Sequence, residues 1–213
     1  MVTPDGENSI IVSPAANRQV TPELLAGCAE VWRRAAVVVL QLEIPLVSVE
    51  YLAREAEDAG ARVVLNLAPA AVLASEVLAV ADPLVVNESE AAFLMSAAGR
   101  RLPADPLAAA RELRGLGPRS VVLTLGARGV VLDDGAEHVH VPALPVTVVD
   151  TTGAGDAFVG ALAVGLAQAG SLTVAVERAV AVAALTVGRR GAQASYPTRE
   201  ELASVDLLLA AHR

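Results

Sequence analysis

The sequence predicts an α/β fold in which a mainly parallel sheet carries helices on both faces. Three observations lead there. Apolar residues make up 54% of the chain but aromatic residues only 2%, so Ala, Val and Leu must build the core, a composition suited to strands buried on both faces. Short apolar runs alternate with longer segments of helical periodicity between residues 36 and 116. Residues 120–149 hold several β-runs in close succession, the pattern of an antiparallel extension at one edge.

The elements follow in order. Residues 9–13 form a short β-run and 14–17 a loop. Thr21-Pro22-Glu23-Leu24 supplies a cap, a proline at the first helical position and an apolar-periodic helix reaching about Arg34. An apolar strand spans 36–42, and a helix spans 45–59 with Gly60 closing it. A strand over 62–67, a short helix over 73–80 and a strand over 83–86 come next. Helices over 88–98 and 106–116 precede a strand over 120–125 and the turn Gly126-Ala127-Arg128-Gly129. A β-run at 130–132, the hairpin signal Asp133-Asp134-Gly135, a run at 137–141 and a strand at 146–149 complete the β-rich stretch. Helices over 154–169, 173–187 and 198–211 finish the chain.

Composition limits the chemistry. All 16 basic residues are Arg, which excludes a Schiff-base or phosphate-loop lysine. The net charge of −8 argues against a nucleic-acid partner. Cys28 is the one cysteine, so there is no internal disulfide; its apolar helical setting predicts a buried, inert thiol. The apolar stretch 157–187 is interrupted by Gln168, Gly170, Glu177 and Arg178, which fits two buried helices rather than a membrane span. The opening Met1-Val2-Thr3-Pro4-Asp5-Gly6 is polar and turn-forming, so a cytoplasmic location is expected. His138 and His140 alternate on a β-run without a third ligand nearby, and Trp32 falls on the apolar side of its helix.

Three short segments carry chemistry, each directly after a strand. Asp150-Thr151-Thr152-Gly153-Ala154-Gly155-Asp156-Ala157-Phe158 opens a long helix. Its glycines permit close backbone approach, and free N–H groups at a helix start favour an anion. Asp156, in the first turn, would face the same point; a plain capped helix also explains it. Asn87-Glu88-Ser89-Glu90 places an amide and a carboxylate three residues apart. That pair suits a hydrated Mg²⁺, and equally a helix cap with its reciprocal partner. Thr124-Leu125-Gly126 with Gly129 offers a hydroxyl and open backbone to a nucleotide, or a simple β-turn.

In this order, D-T-T-G-A-G-D-A-F, N-E-S-E and T-L-G-A-R-G resemble the phosphofructokinase-B, or ribokinase-like, carbohydrate kinases. The likeness extends to Gly6-Glu7-Asn8, Ala15-Ala16-Asn17, Gln41-Leu42-Glu43 and Arg189-Arg190-Gly191-Ala192-Gln193-Ala194-Ser195, and its ribokinase branch matches best. The resemblance implies a Rossmann-like sheet and ATP-dependent phosphorylation of a sugar primary hydroxyl, with ribose as first candidate. It implies Asp156 as general base and Gly153, Ala154 and Gly155 as the anion hole. Asn87 and Glu90 would arrange Mg²⁺ and phosphates, Thr124, Gly126 and Gly129 would meet the nucleotide, and Glu43 would bind the sugar. Asp150 and Thr152, with Thr186, Arg189, Gly191 and Ser195, would hold an activating K⁺.

The sequence also departs from that pattern. Roughly a hundred residues that open the family's chains, including most sugar-contacting side chains, have no counterpart here. Residues 1–17 correspond to the end of the family's lid, and 18–213 to the nucleotide-binding catalytic domain, so an N-terminally truncated version of the fold is expected. Its exposed sheet edge would call for a cover such as homodimerisation. Ala179-Val180-Ala181 stands where the family often has an Asn near adenine. Two other functions compete: a catalytically incomplete nucleotide-binding or assembly module, and a relative acting on a nucleoside or another sugar.

Overall fold

A computed structural model describes residues 13–168, 170–203 and 205 of the chain. The expected β-run at 9–13 therefore falls almost wholly outside the described residues, as do Gly6-Glu7-Asn8, His212 and most of the last helix. Six strands form one sheet in sequential order: β1 (Val37–Leu40), β2 (Arg62–Asn66), β3 (Ala81–Asn87), β4 (Val121–Thr124), β5 (Val130–Asp133) and β6 (His138–Val141). The first four are parallel and the last two antiparallel, so the expected edge extension is present.

Helices α1 (Pro22–Gly27), α2 (Ala29–Trp32), α3 (Leu46–Asp58), α4 (Ser75–Val80), α5 (Glu88–Ala97) and α6 (Pro106–Arg114) come before β4, and α7 (Ala154–Ala167) and α8 (Leu172–Val187) after β6. Strand alternation assigns the two layers. Val63, Leu65, Leu84, Val86, Val121 and Leu123 face a core shared with α3–α6, whereas Val64, Val85 and Val122 face the core shared with α7 and α8.

The cap at Thr21 and the hairpin at Asp133 behave as the sequence anticipates. Thr21 caps α1 through its hydroxyl, which accepts from the Leu24 N–H at 3.3 Å. Asp105 does the same for α6, accepting from Ala108 at 2.9 Å, with Pro106 at the first helical position. At the hairpin, Asp133 accepts from the Gly135 N–H and from Arg114 Nε, both at 2.8 Å, although its side chain is 1% exposed. His138 and His140 are both exposed, but neither is free. His138 Nδ1 lies 3.1 Å from Asp133 Oδ2 without hydrogen-bond alignment, and His140 Nε2 is 2.7 Å from the Arg128 carbonyl. Among the described residues no cluster of three ligating side chains could hold a metal ion. No described helix is long and apolar enough to cross a membrane.

Three expectations fail. The helix expected from Pro22 to Arg34 divides at Cys28, where the backbone leaves the helical region (φ −103°, ψ 16°) after the poor helix former Gly27. Trp32 stabilises the break by donating its indole N–H to the Leu25 carbonyl at 2.8 Å. Cys28 is consequently exposed rather than buried, because Leu25, Ala29 and Trp32 make the packed stripe instead. The strand expected at 146–149 does not form. The N–H groups of Val149 and Asp150 both donate to the Val187 carbonyl at the end of α8, which ties the segment to a helix terminus instead of a ladder. Val146, Val148 and Val149 stay 44%, 58% and 50% exposed.

Candidate active site

Polar residues end three neighbouring apolar strands at the same edge of the sheet. β2 ends at Asn66, β3 at Asn87, and β4 at Thr124, which lies in register with Asn87. Open parallel sheets bind ligands at this edge, where the carboxyl ends of the strands open between helices. Asn87 starts α5 through a reciprocal cap. Its side chain accepts from the Glu90 N–H at 2.9 Å, and Glu90 Oε2 accepts from the Asn87 N–H at 2.8 Å. The capping role is thus real, yet it occupies only one carboxylate oxygen of Glu90. Partial burial raises the Glu90 pKa, and the bond from the Asn87 N–H opposes the rise.

The turn before α7 forms the facing wall. Gly153 caps the helix in the left-handed region (φ 80°, ψ −2°). A Cβ there would sit 3.1 Å from Ala192 Cα and 3.2 Å from Tyr196 Cε1, so glycine is required twice over. Ala154 N–H donates to the Thr151 carbonyl at 3.2 Å. The N–H groups of Gly153, Gly155 and Asp156 find no acceptor among the described residues. Three open donors at a helix start, reinforced by the helix dipole, make a site for negative charge. Gly155 is helical, and a Cβ added to it would meet nothing within 4 Å beyond its own helical turn. It therefore leaves space for a ligand rather than for another part of the chain.

Asp150 fixes this turn to a second loop. Its Oδ1 accepts from the Thr152 N–H and its Oδ2 from the Gly191 N–H, each at 2.9 Å. These bonds, Gly191 first, lower its pKa to about 2. Thr186 in the last turn of α8 and Ser195 in the second loop are buried, and their hydroxyls donate to the carbonyls of Val182 at 2.9 Å and Ala192 at 2.6 Å. The Arg189 guanidinium forks onto the Glu201 carboxylate, with Nη1 3.2 Å from Oε2. Glu201 also accepts from the Thr198 N–H at 2.7 Å, and these partners, Arg189 first, lower its pKa to about 2.

A pH prediction follows for the two loops. Both carboxyl groups titrate lower in the folded chain than the reference values of about 3.9 for Asp and about 4.3 for Glu expected when it unfolds. Their contribution is present above those reference values and is lost as pH falls through about 2. Melting temperature should therefore decline on acidification from pH 5 to pH 2. Asp150→Asn should melt lower at pH 7 and show a shallower decline; unchanged pH dependence in that variant would remove Asp150 from the effect.

Together the two walls enclose a cleft of about 210 Å³ lined by Asn66, Asn87, Glu90, Thr124, Gly155 and Asp156, with Phe158 and Val159 of α7 among its apolar surfaces. Asp156 is exposed, and its Oδ1 accepts from Gln41 Nε2 at 3.3 Å. Tyr196 stands close enough that burial, and then the Asp156 charge, raises its phenolic pKa.

Five residues singled out from separate segments of sequence, namely Asn87, Glu90, Thr124, Gly155 and Asp156, thus meet in one cleft. Gly126 and Gly129 lie in the turn after β4 and outside the cleft lining. Gly129 has a packing role, because a Cβ there would fall 2.2 Å from the Val141 carbonyl oxygen. Glu43 is exposed beyond the end of β1 and does not line the cleft either. Asn66 was absent from the sequence expectations, although it shares with Asn87 the one available signal, a polar residue ending an apolar strand.

The chain matches the pfkB family of carbohydrate kinases across residues 1–199. It is 36% identical over 205 residues to a deoxyribokinase of Salmonella typhi, covering 94% of this chain and 65% of that enzyme. A ribokinase of Bacillus subtilis is 35% identical over 202 residues, covering 95% of this chain and 66% of the enzyme. The structure of Arabidopsis thaliana ribokinase, complexed with ribose and ATP, superposes with a TM-score of 0.85 at 32% identity, covering 96% of this chain and 67% of that one. This chain thus spans about two thirds of the length of these relatives.

Proposed function

The chain belongs to the pfkB family of carbohydrate kinases, and from that premise we propose that it transfers a phosphoryl group from ATP to the primary hydroxyl of a pentose. The observation that carries the proposal is the cleft in which Asp156 stands beside open helix-start amides, opposite Asn87, Glu90 and Thr124. Asp156 takes the proton of the attacking hydroxyl. The N–H groups of Gly153 and Gly155 receive the charge of the migrating group, with Ala154 holding the turn between them. A carboxylate is a weak base towards an alcohol, so positioning and charge stabilisation supply most of the rate.

The donor sets fit the expected ions. Asn87 and the open oxygen of Glu90 are hard oxygen donors suited to Mg²⁺ and its waters, which would neutralise phosphate charge when bound. Thr124 at the cleft wall, with Gly126 and Gly129 in the turn beyond it, would meet the nucleotide. Asp150, Thr152, Gly191 and Ser195 of the two loops and Thr186 at the end of α8 offer carboxylate, hydroxyl and carbonyl oxygens that suit K⁺, to which Arg189 could add only its backbone carbonyl because its guanidinium is held by Glu201. Such an ion would stiffen the amide-bearing turn without joining the chemistry.

Ribose and deoxyribose are both candidate acceptors, because the ribokinase and deoxyribokinase relatives match at nearly equal identity. Melting curves with each sugar, and separately with ATP and Mg²⁺, test the proposal alongside ADP formation. A ligand at a hundred times its Kd stabilises by about 2.7 kcal/mol, which raises the melting temperature by several degrees. Shifts with nucleotide and with one sugar, plus sugar-dependent ADP, are expected. A nucleotide shift alone, without ADP formation, would point to a nucleotide-binding module instead.

A further inference from the structure

Gln41 and Asp156 lie 115 residues apart in sequence, yet their side chains meet. The meeting has a sequence cause. Val38, Leu40 and Leu42 point into the core on the α3–α6 side, whereas Val37 packs with the α7–α8 core. Alternation carries Gln41 to the same face as Val37, and α7 runs along that face of β1. Asp156 occupies the first turn of α7, so the end of β1 and the start of α7 bring the two polar groups together. An ionised carboxylate only accepts, so the amide nitrogen of Gln41 must be the group turned towards Asp156. Its reach of 3.3 Å engages Oδ1 and leaves Oδ2 without a partner among the described residues.

We propose that Gln41 is a positioning residue for the phosphoryl-transfer reaction: it holds Oδ1 of Asp156 so that Oδ2 is the oxygen offered to the substrate hydroxyl. This deepens the kinase reading and rests on it. In the step so arranged, the hydroxyl oxygen forms a bond to the terminal phosphorus of ATP while the bond from that phosphorus to the bridging oxygen breaks. That electron pair leaves with ADP, and the hydroxyl proton passes to Oδ2 and then to water. Without the amide, the carboxylate rotates freely about χ2 and fewer encounters are productive.

Gln41→Glu separates positioning from simple space-filling, because it keeps the size of the side chain and exchanges the donor for a second carboxylate. Gln41→Ala is expected to lower kcat about tenfold with little change in KM for ATP. Gln41→Glu should lower it further. A purely structural role predicts the reverse order, with the isosteric variant close to wild type. A melting cycle reads the contact without turnover: Q41E should melt about 2 °C lower than wild type. Q41E/D156N, which restores a donor opposite an acceptor, should recover that loss.

Wild-type turnover in Q41E with none in Asp156→Asn would overturn the positioning role and leave the base assignment standing. So would additive melting shifts in the cycle. Full activity in Asp156→Asn would remove the base assignment, and the role of Gln41 with it. A wild-type chain that releases no ADP would overturn the kinase reading and the positioning role with it, while the melting cycle would still report the contact between Gln41 and Asp156.

Discussion

Asp156→Asn should reduce turnover by about three orders of magnitude, within the range of about 10²–10⁴ for a positioned general base, while ATP-Mg²⁺ affinity changes by less than about threefold. The substitution is nearly isosteric, and the side chain is exposed at the cleft rather than built into a core, so folding should survive it. The amide lacks a lone pair basic enough to take the hydroxyl proton, whereas the amides of Gly153 and Gly155 are untouched. Removing a negative charge beside the phosphates also relieves repulsion, so nucleotide binding has no reason to weaken. Steady-state ADP release and calorimetric titration with nucleotide check the two halves. A variant that turns over like wild type would remove the carboxylate from the chemistry.

The second large effect should come from the glycines of the same turn, and in two different ways. Gly153→Ala puts a Cβ on a residue at φ 80° and presses it to 3.1 Å from Ala192 Cα, a backbone atom that cannot rotate away. The left-handed conformation alone costs about 1–2 kcal/mol for an L side chain. Both melting temperature and turnover should fall, the latter by about a hundredfold as the amides leave their places. Gly155→Ala has no such conflict: the residue is helical and its Cβ would enter open space. Alanine is favoured over glycine in a helix by about 1 kcal/mol, so this variant should melt no lower than wild type. Its methyl group nevertheless projects into the cleft and should depress turnover. Equal behaviour of the two variants in both assays would contradict the division between a glycine needed by the fold and one needed by the ligand.

The order of strands and helices was legible because each boundary carries its own local chemistry. Thr21 and Pro22 at the start of one helix and the glycine at position 60 after another act where the sequence places them, whereas the caps Asp105 and Ser171 emerge only in the structure. The segment 146–149 misled because a β-branched apolar run specifies an extended backbone but not its partner, and the available acceptor was the Val187 carbonyl. Cys28 misled because one glycine beside it was enough to break the helix that would have buried it. At the site, Asn87, Glu90, Thr124, Gly155 and Asp156 were visible as local patterns, whereas their convergence depended on strand order and register. The meeting of Gln41 with Asp156, and of Asp150 with Gly191, joins distant segments, so no window of sequence contains either.

The antiparallel return of β5 separates the two ends of the sheet. Val130 pairs with Thr124 at the edge that bears the cleft, whereas Asp133 pairs with Val121 at the opposite edge. The hairpin tip of Asp134, Gly135 and Ala136 therefore projects from the far pole of the molecule. A fluorophore, an affinity tag or a surface tether grafted onto that tip would be screened from the phosphoryl chemistry by the full height of the strands, which makes it the natural handle for immobilising the protein with its reactive mouth facing outward.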